Sequence, residues 1–339
     1  MPPVLKPTLC RLGPRFSSFV LLAVGLSSLL LVFAVSSATA QSLQIFQNCA
    51  KPDVALNDKI AACTAIIRAG QVDNGSMAVA LNNRGIAFGK KGERDRAVAD
   101  FRGAMKLNPG YKSASRNLTV ALADRGISFG SGGNFSAAIA DFREILRLDR
   151  AYPLAASNLA IAYNNRGIAS ATSGNYVKAI ADFSEAIRLN PKYAPAYSNR
   201  ATAYANKGEH DRAVSDATTA IRLDPALASA YLARGTAHGK KRDFVRAMAD
   251  LDETLRRAPN DTATLDRRGL IYLMQQQFDS ALAEFEAALK TNPKLASSLY
   301  GRGMAKLKQG DVAGAEADIA AAKKLQANVA DEFARYGIK

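Results

Sequence analysis

Tryptophan is absent from this chain of 339 residues, histidine occurs only at 210 and 238, and cysteine only at 10, 49 and 63. Catalytic chemistry therefore starts with few candidates. No serine or cysteine nucleophile is matched by motif to His210 or His238, no C-x-x-C is present, and no histidine lies close in sequence to the cysteines. The glycines form no phosphate-cradling motif. These absences argue against an enzyme and leave no expected cofactor or metal. Blocks of five or six like charges are missing too, although 45 Lys and Arg against 30 Asp and Glu give a net charge of +15. Charge spread this way fits a solvated surface and gives no reason to expect a nucleic-acid partner. It leaves open an anionic polymer, a membrane surface or an acidic protein.

Only one long apolar run exists, Phe19 to Val35, preceded by Lys6, Arg11 and Arg15 and followed by Ala38-Thr39-Ala40. A basic start, an apolar core and a small-residue site make an export signal over residues 1–40, with the mature chain beginning at Gln41. The alternative is an uncleaved N-terminal anchor facing the periplasm, because the run is at the short edge of a bilayer span. After cleavage no stable membrane span is expected, and the shape of the signal points to a bacterial periplasm. Losing three basic residues leaves +12. Cys49 and Cys63 then remain as an even pair in an exported chain, which predicts a disulfide. Closing a loop of that size is worth about 3 kcal/mol in the chain-entropy account.

Few β-branched runs and abundant alanine favour helix throughout. One skeleton recurs seven times, with Gly85, Gly126, Gly167, Ala201, Gly235, Gly269 and Gly303 at the same place, 41, 41, 34, 34, 34 and 34 residues apart. A period near 34 marks stacked two-helix units. Four residues before that position stand Leu81, Leu122, Tyr163, Tyr197, Tyr231, Leu265 and Leu299. Twelve after it stand Ala97, Ala138, Ala179, Ala213, Ala247, Ala281 and Ala315. Phe101, Phe142, Phe183 and Phe285 follow four residues later, with Ala217, Leu251 and Ile319 departing from the aromatic. Pro109, Pro191, Pro225, Pro259 and Pro293 close units, and Arg150 and Ala327 replace proline.

Over about residues 57–336 this pattern resembles the tetratricopeptide repeat family. The resemblance implies an all-α, right-handed superhelical solenoid of helix-turn-helix repeats. The domains expected are a signal over 1–40, a disulfide-pinned cap with a half-repeat over 41–77, seven repeats over 78–327, and a capping helix over 328–339. In the half-repeat, Asn57 or Asp58 is expected to cap a helix that runs through Ala69 and ends at Gly70. Gly and Ala are expected to let paired helices approach closely. The two 41-residue spacings predict longer first helices in the second and third units, because seven residues make about two turns. Leu325, Val329, Phe333 and Tyr336 have the spacing of a C-terminal capping helix.

Each unit also has an arginine just before the glycine position, from Arg84 to Arg302, and an acid sixteen residues later, from Asp100 to Asp318. This reads as a ladder of charge pairs between paired helices. In the family the first helices line the concave face. That resemblance places Ile86, Ile127, Ile168, Thr202, Thr236, Leu270 and Met304 on the groove, where they either meet a ligand or pack between neighbouring helices. Asn83, Asn165 and Asn199 could grip a peptide backbone or bridge helices. Lys90 and Lys240 complete the candidate groove. Without the accompanying lysines and asparagines, the family's clamp for an acidic chain terminus is not expected. The function expected is a non-catalytic scaffold that binds a peptide or helix of a partner protein. A basic adaptor for an anionic envelope polymer or membrane surface is the alternative, and nothing in the sequence bears on oligomeric state.

Overall fold

The computed structural model describes residues 40–338, and every regular element among them is a helix. Apart from Ala40, the expected signal lies outside the described residues. Helix α1 spans residues 40–50 and α2 spans Leu56–Ala69. Seven pairs follow: α3 (Asn74–Lys90) with α4 (Arg94–Leu107), α5 (Lys112–Ser131) with α6 (Phe135–Leu148), α7 (Ala155–Thr172) with α8 (Tyr176–Leu189), α9 (Ala194–Lys207) with α10 (His210–Leu223), α11 (Ala228–Lys240) with α12 (Phe244–Arg257), α13 (Thr262–Met274) with α14 (Phe278–Thr291), and α15 (Ala296–Lys308) with α16 (Val312–Leu325). A last short helix, α17, runs Val329–Ala334. Two compact units meet between Asn158 and Leu159, inside α7.

The helix ends follow from local chemistry. Asn134, Asn175, Asp243 and Asp311 accept from the backbone N–H three residues on, capping the second helices α6, α8, α12 and α16. The residue before each closing proline is extended, as at Asn108 (φ −138°) and Asn190 (φ −138°). Asp149 (φ −147°) and Gln326 (φ −145°) adopt the same shape where proline is missing. Helix α2 ends at Gly70, with φ 62°. Its start corrects the expected caps: Ala55 precedes the helix without a side-chain bond, and Asp58 lies in the first turn, next to the positive end of the helix dipole.

In the first unit, Cys49, Ala62, Cys63 and Ile66 form one buried cluster with Ala80 of α3. The Cys49 and Cys63 sulfurs are 2.13 Å apart and their Cα atoms 4.8 Å apart, a disulfide distance. Helices α3, α5 and α7 hold 17, 20 and 18 residues, whereas α9, α11, α13 and α15 hold 13 or 14.

All seven alanines of the second-helix row are fully buried. The glycine row meets the expectation at Gly235 and Gly303, where a Cβ would lie 3.1 and 3.0 Å from the backbone carbonyls of Ala247 and Ala315, and departs from it in four other units. A Cβ at Gly85, Gly126, Gly167 or Gly269 would lie 2.6–3.0 Å from the ring of Phe101, Phe142, Phe183 or Phe285. Glycine there makes room for an aromatic ring more than for the partner backbone. Each such ring, once buried, contributes about 1.5–3 kcal/mol. In the fourth unit the volumes trade places. Ala201 stands where glycine does elsewhere and Ala217 where phenylalanine does, inside an all-alanine cluster with Ala205, Ala213, Ala233 and Ala237.

The charge ladder forms in all seven units. In six of them the arginine donates twice to the aspartate, as Arg166 Nε and Nη2 do to Asp182 at 2.9 and 2.7 Å. The six aspartates are buried, and Glu284 and the arginines partly so. The sixth rung differs because Glu284 is one methylene longer than aspartate. Arg268 reaches it through Nη2 alone, leaving Arg268 Nε and Glu284 Oε2 buried without a hydrogen-bond partner.

In the second unit Val329 and Phe333 of α17 join the core of α13 to α16, and the Tyr300 and Phe333 ring centroids are 4.8 Å apart. Leu325 does not share this role: it ends α16 and is 49% exposed. The chain turns between Leu325 and Val329, so the four residues never share one helical face.

Candidate functional site

The candidate groove residues fall into three surroundings. Ile127 on α5 is 52% exposed and Ile168 on α7 is 43% exposed. Seven residues earlier on the same helices, Val120 and Ile161 are also exposed, at 46% and 42%. Seven residues are about two turns, so each extended helix shows a second apolar residue on the face that carries its groove isoleucine. Lys90 and Thr202 are exposed as well, whereas Ile86 and Thr236 are half-buried.

The asparagine row has a second function that spacing along one helix does not show. Asn199 Nδ2 donates to Asn164 Oδ1 at 2.9 Å, linking α9 to α7, and Asn164 Nδ2 donates to Asn165 Oδ1 at 3.3 Å. Asn117 donates to Asn82 at 2.9 Å in the first unit. Ser298 donates to Asp266 at 2.7 Å, and the Ser198 and Ser229 hydroxyls are 3.1 Å apart. Polar pairs thus tie α3 to α5, α7 to α9, α9 to α11 and α13 to α15. Asn199 is committed to such a link, and Asn83 is half-buried on α3. The signal that could have revealed this is the common separation of 35 residues in Asn82–Asn117 and Asn164–Asn199.

Leu270 and Met304 are not on an open groove. They are 6% and 3% exposed, in the same core cluster as Val329 and Phe333. Tyr336 lines a cavity with Thr236 and Lys240 of α11 and with Arg267, Leu270 and Met274 of α13. Arg242 Nη2 donates to the Tyr336 carbonyl at 3.3 Å, across 94 residues of sequence. Lys240 donates to Ala205 O at 3.2 Å. Burial, helped by the charges of Arg267 and Arg335 and opposed by Glu332, pushes its ammonium down to about 8.

His238 is buried, its Nδ1 3.8 Å from Asp243 Oδ2. Burial moves both His210 and His238 below the ordinary histidine range. No described helix is long and apolar enough to cross a membrane.

Family profiles described as tetratricopeptide repeat match residues 82–153 and 267–330, residues 160–193, and residues 183–215. The chain belongs to the tetratricopeptide repeat family. It is built as a repeat scaffold, a construction generally non-catalytic and consistent with protein–protein interaction. No curated protein matches it. Among solved structures it is similar to a tetratricopeptide repeat protein from Parabacteroides merdae, at 17% identity and TM-score 0.47, covering 78% of this chain and 100% of that one. The hetero-tetramer Cut9-Hcn1 of the APC/C matches at 17% identity and TM-score 0.47, covering 90% of this chain and 82% of that one. YrrB, described as a TPR protein with an unusual peptide-binding site, matches at 20% identity and TM-score 0.37, covering 60% and 96%.

Proposed function

We propose that the chain is a non-catalytic scaffold, exported to the periplasm, that holds a peptide or amphipathic helix of a partner protein on the faces of its first helices. The observation that carries this reading is the exposed apolar pair on each of the two longest first helices, Val120 with Ile127 on α5 and Ile161 with Ile168 on α7. Burying such side chains against a partner yields about 1.5–3 kcal/mol each, and an apolar stripe at helical spacing matches helix-in-groove recognition. The leader and the Cys49–Cys63 pair support export and a disulfide-pinned cap.

The test is capture of envelope proteins by the chain at low and high salt, with Ile127→Asp and Ile168→Asp variants alongside. A defined protein retained at high salt and lost on substitution supports the scaffold. Capture only of anionic material, lost as salt rises and indifferent to both substitutions, means that the positive charge does the binding and the groove reading is wrong.

A further inference from the structure

We propose that the junction between the fifth and sixth repeats, where α12 meets α13, is a hinge, and that the C-terminal residue Tyr336 braces it closed. Helices α12 and α13 pack together less extensively than α8 with α9, α10 with α11 or α14 with α15, and α11 packs less against α13 than against α9. A cavity of about 20 Å³ lies in this gap, with Gly239 and Leu251 on the side of the fifth repeat and Leu270 and Met274 on the side of the sixth.

Three side-chain choices explain the looseness. Three residues before the glycine position, Asn164, Ser198 and Asp266 take part in the polar ties to the next first helix. Leu232 holds that place in the fifth repeat, where it joins an apolar cluster instead. Among the described residues no hydrogen bond or ion pair joins α11 to α13. Ten residues after the glycine position, Asp211 and Asp279 accept from Lys241 and Gln309 at the turn of the following repeat. Val245 stands there in the fifth repeat, 83% exposed, and has no oxygen to offer Gln275. In the loop that enters the next repeat, Tyr193, Leu227 and Leu295 are half-buried apolar anchors. Asp261 replaces them at this junction, and its carboxylate accepts from the Thr264 N–H at 2.8 Å to cap α13. What remains is Ile271 packed with Ala247 and Leu251 and the pair of Arg268 with Asp252, whose acid is 61% exposed. Pairs so open to water hold weakly.

The brace comes from far along the chain. Phe333 of α17 is buried in the core of the sixth and seventh repeats, against Tyr300. That contact anchors the end of the chain on one side of the junction. Tyr336 then reaches the other side: it lines the cavity together with Thr236 and Lys240 of α11, and its carbonyl accepts from Arg242 Nη2 at 3.3 Å. Arg242 sits at the turn of the fifth repeat. The equivalent turn residue is left-handed in every repeat, and it is Gly92, Gly133, Gly174, Gly208 or Gly310 in five of them. The two exceptions, Arg242 with φ 61° and Gln276 with φ 60°, belong to the two repeats that meet at the hinge. A residue with a Cβ is strained there, and Arg242 makes a bond to the brace that glycine could not. Hinges are built from a few element-terminal residues, here residues 258–261 between α12 and α13. Opening changes the angle between the fifth and sixth repeats, and with it the course of the first-helix face from α11 to α13.

The test uses the full chain with Cys10→Ser and spin labels on cysteines placed at equivalent exposed positions of the second helices. Labels at 249 and 283 span the hinge, whereas labels at 215 and 249, or at 283 and 317, span the junctions on either side. Pulsed dipolar spectroscopy reads the distance distributions. Arg242→Gly keeps the left-handed turn and removes the bond to the carbonyl, and Tyr336→Ser empties the cavity. Together they are expected to broaden the 249–283 distribution while the two flanking distributions keep their native widths. Val245→Asp with Gln275→Lys copies the tie between Asp211 and Lys241, and is expected to narrow the 249–283 distribution again in the unbraced chain. A 249–283 distribution that stays narrow without the brace, broadening of all three distributions alike, or broadening that the copied tie does not reverse overturns the proposal.

Discussion

Gly167→Ala is the sharpest probe of how these repeats are packed. The added methyl would lie 2.6 Å from Phe183 Cε1 and 2.8 Å from Cδ1. Phe183 is 1% exposed, so its ring has little room to retreat. On helix propensity alone the change gains about 1 kcal/mol. Overpacking costs about 1–3 kcal/mol, so the net effect runs from neutral to a loss of about 2 kcal/mol. Gly130→Ala on α5 is the control, since nothing lies within 4 Å of its Cβ; it should gain part of the propensity term without a clash. Phe183→Ala alone should cost about 3–5 kcal/mol through the cavity it leaves. In that background Gly167→Ala should turn stabilising, because Ala201 and Ala217 already form this pair in the fourth unit. Urea unfolding measures the four-variant cycle, with hydrogen exchange at α8 amides locating the change. If Gly167→Ala has the same effect whether or not Phe183 is present, the volume exchange is not what the glycine row does.

Glu284→Asp should stabilise by about 0.5–1.5 kcal/mol by restoring the double hydrogen bond made in the other rungs, and thermal unfolding would show it. Asp182→Asn should lose about 1–3 kcal/mol by the same assay, because the Arg166 fork then faces a neutral amide. Reduction, or Cys49→Ser, should lower stability by about 3 kcal/mol and loosen α1 first, which limited proteolysis would detect. Lys240 should titrate near pH 8 by NMR of the labelled amine, and Arg335→Ala should raise that value. Its folded pKa is below the unfolded 10.5, so burial of the ammonium costs stability in full below pH 8. That cost is relieved as pH rises toward 10.5, where the unfolded state binds more protons. Stability that falls through this window in native chain but not in Lys240→Gln would contradict the assignment.

The repeat was legible because its determinants are local or one helix pair apart. The alanine row, the prolines and the arginine–acid separation of sixteen residues each state a helix-to-helix distance in sequence. Ala201 with Ala217 shows even the volume trade as a paired departure. The links Asn82–Asn117 and Asn164–Asn199 were harder, since each joins neighbouring units and only a comparison of both pairs reveals the shared offset. The family resemblance placed Leu270 and Met304 on the groove face, but it could not say what covers them. The contact from Arg242 to Tyr336 spans 94 residues, and no periodicity connects its ends. Its one trace in the sequence is the arginine at a turn where glycine is the rule. The start of α2 was misread for a smaller reason: Ala55 opens the helix without a side-chain bond, so no polar residue marks it.

The most direct measurement of the central claim is a hydrogen-exchange footprint of the captured partner on the native chain. The account predicts new protection on α5 around Val120 and Ile127 and on α7 around Ile161 and Ile168, with the second helices α6 and α8 unchanged. Protection confined to the second helices, or spread over lysines and arginines and abolished by salt, would contradict it.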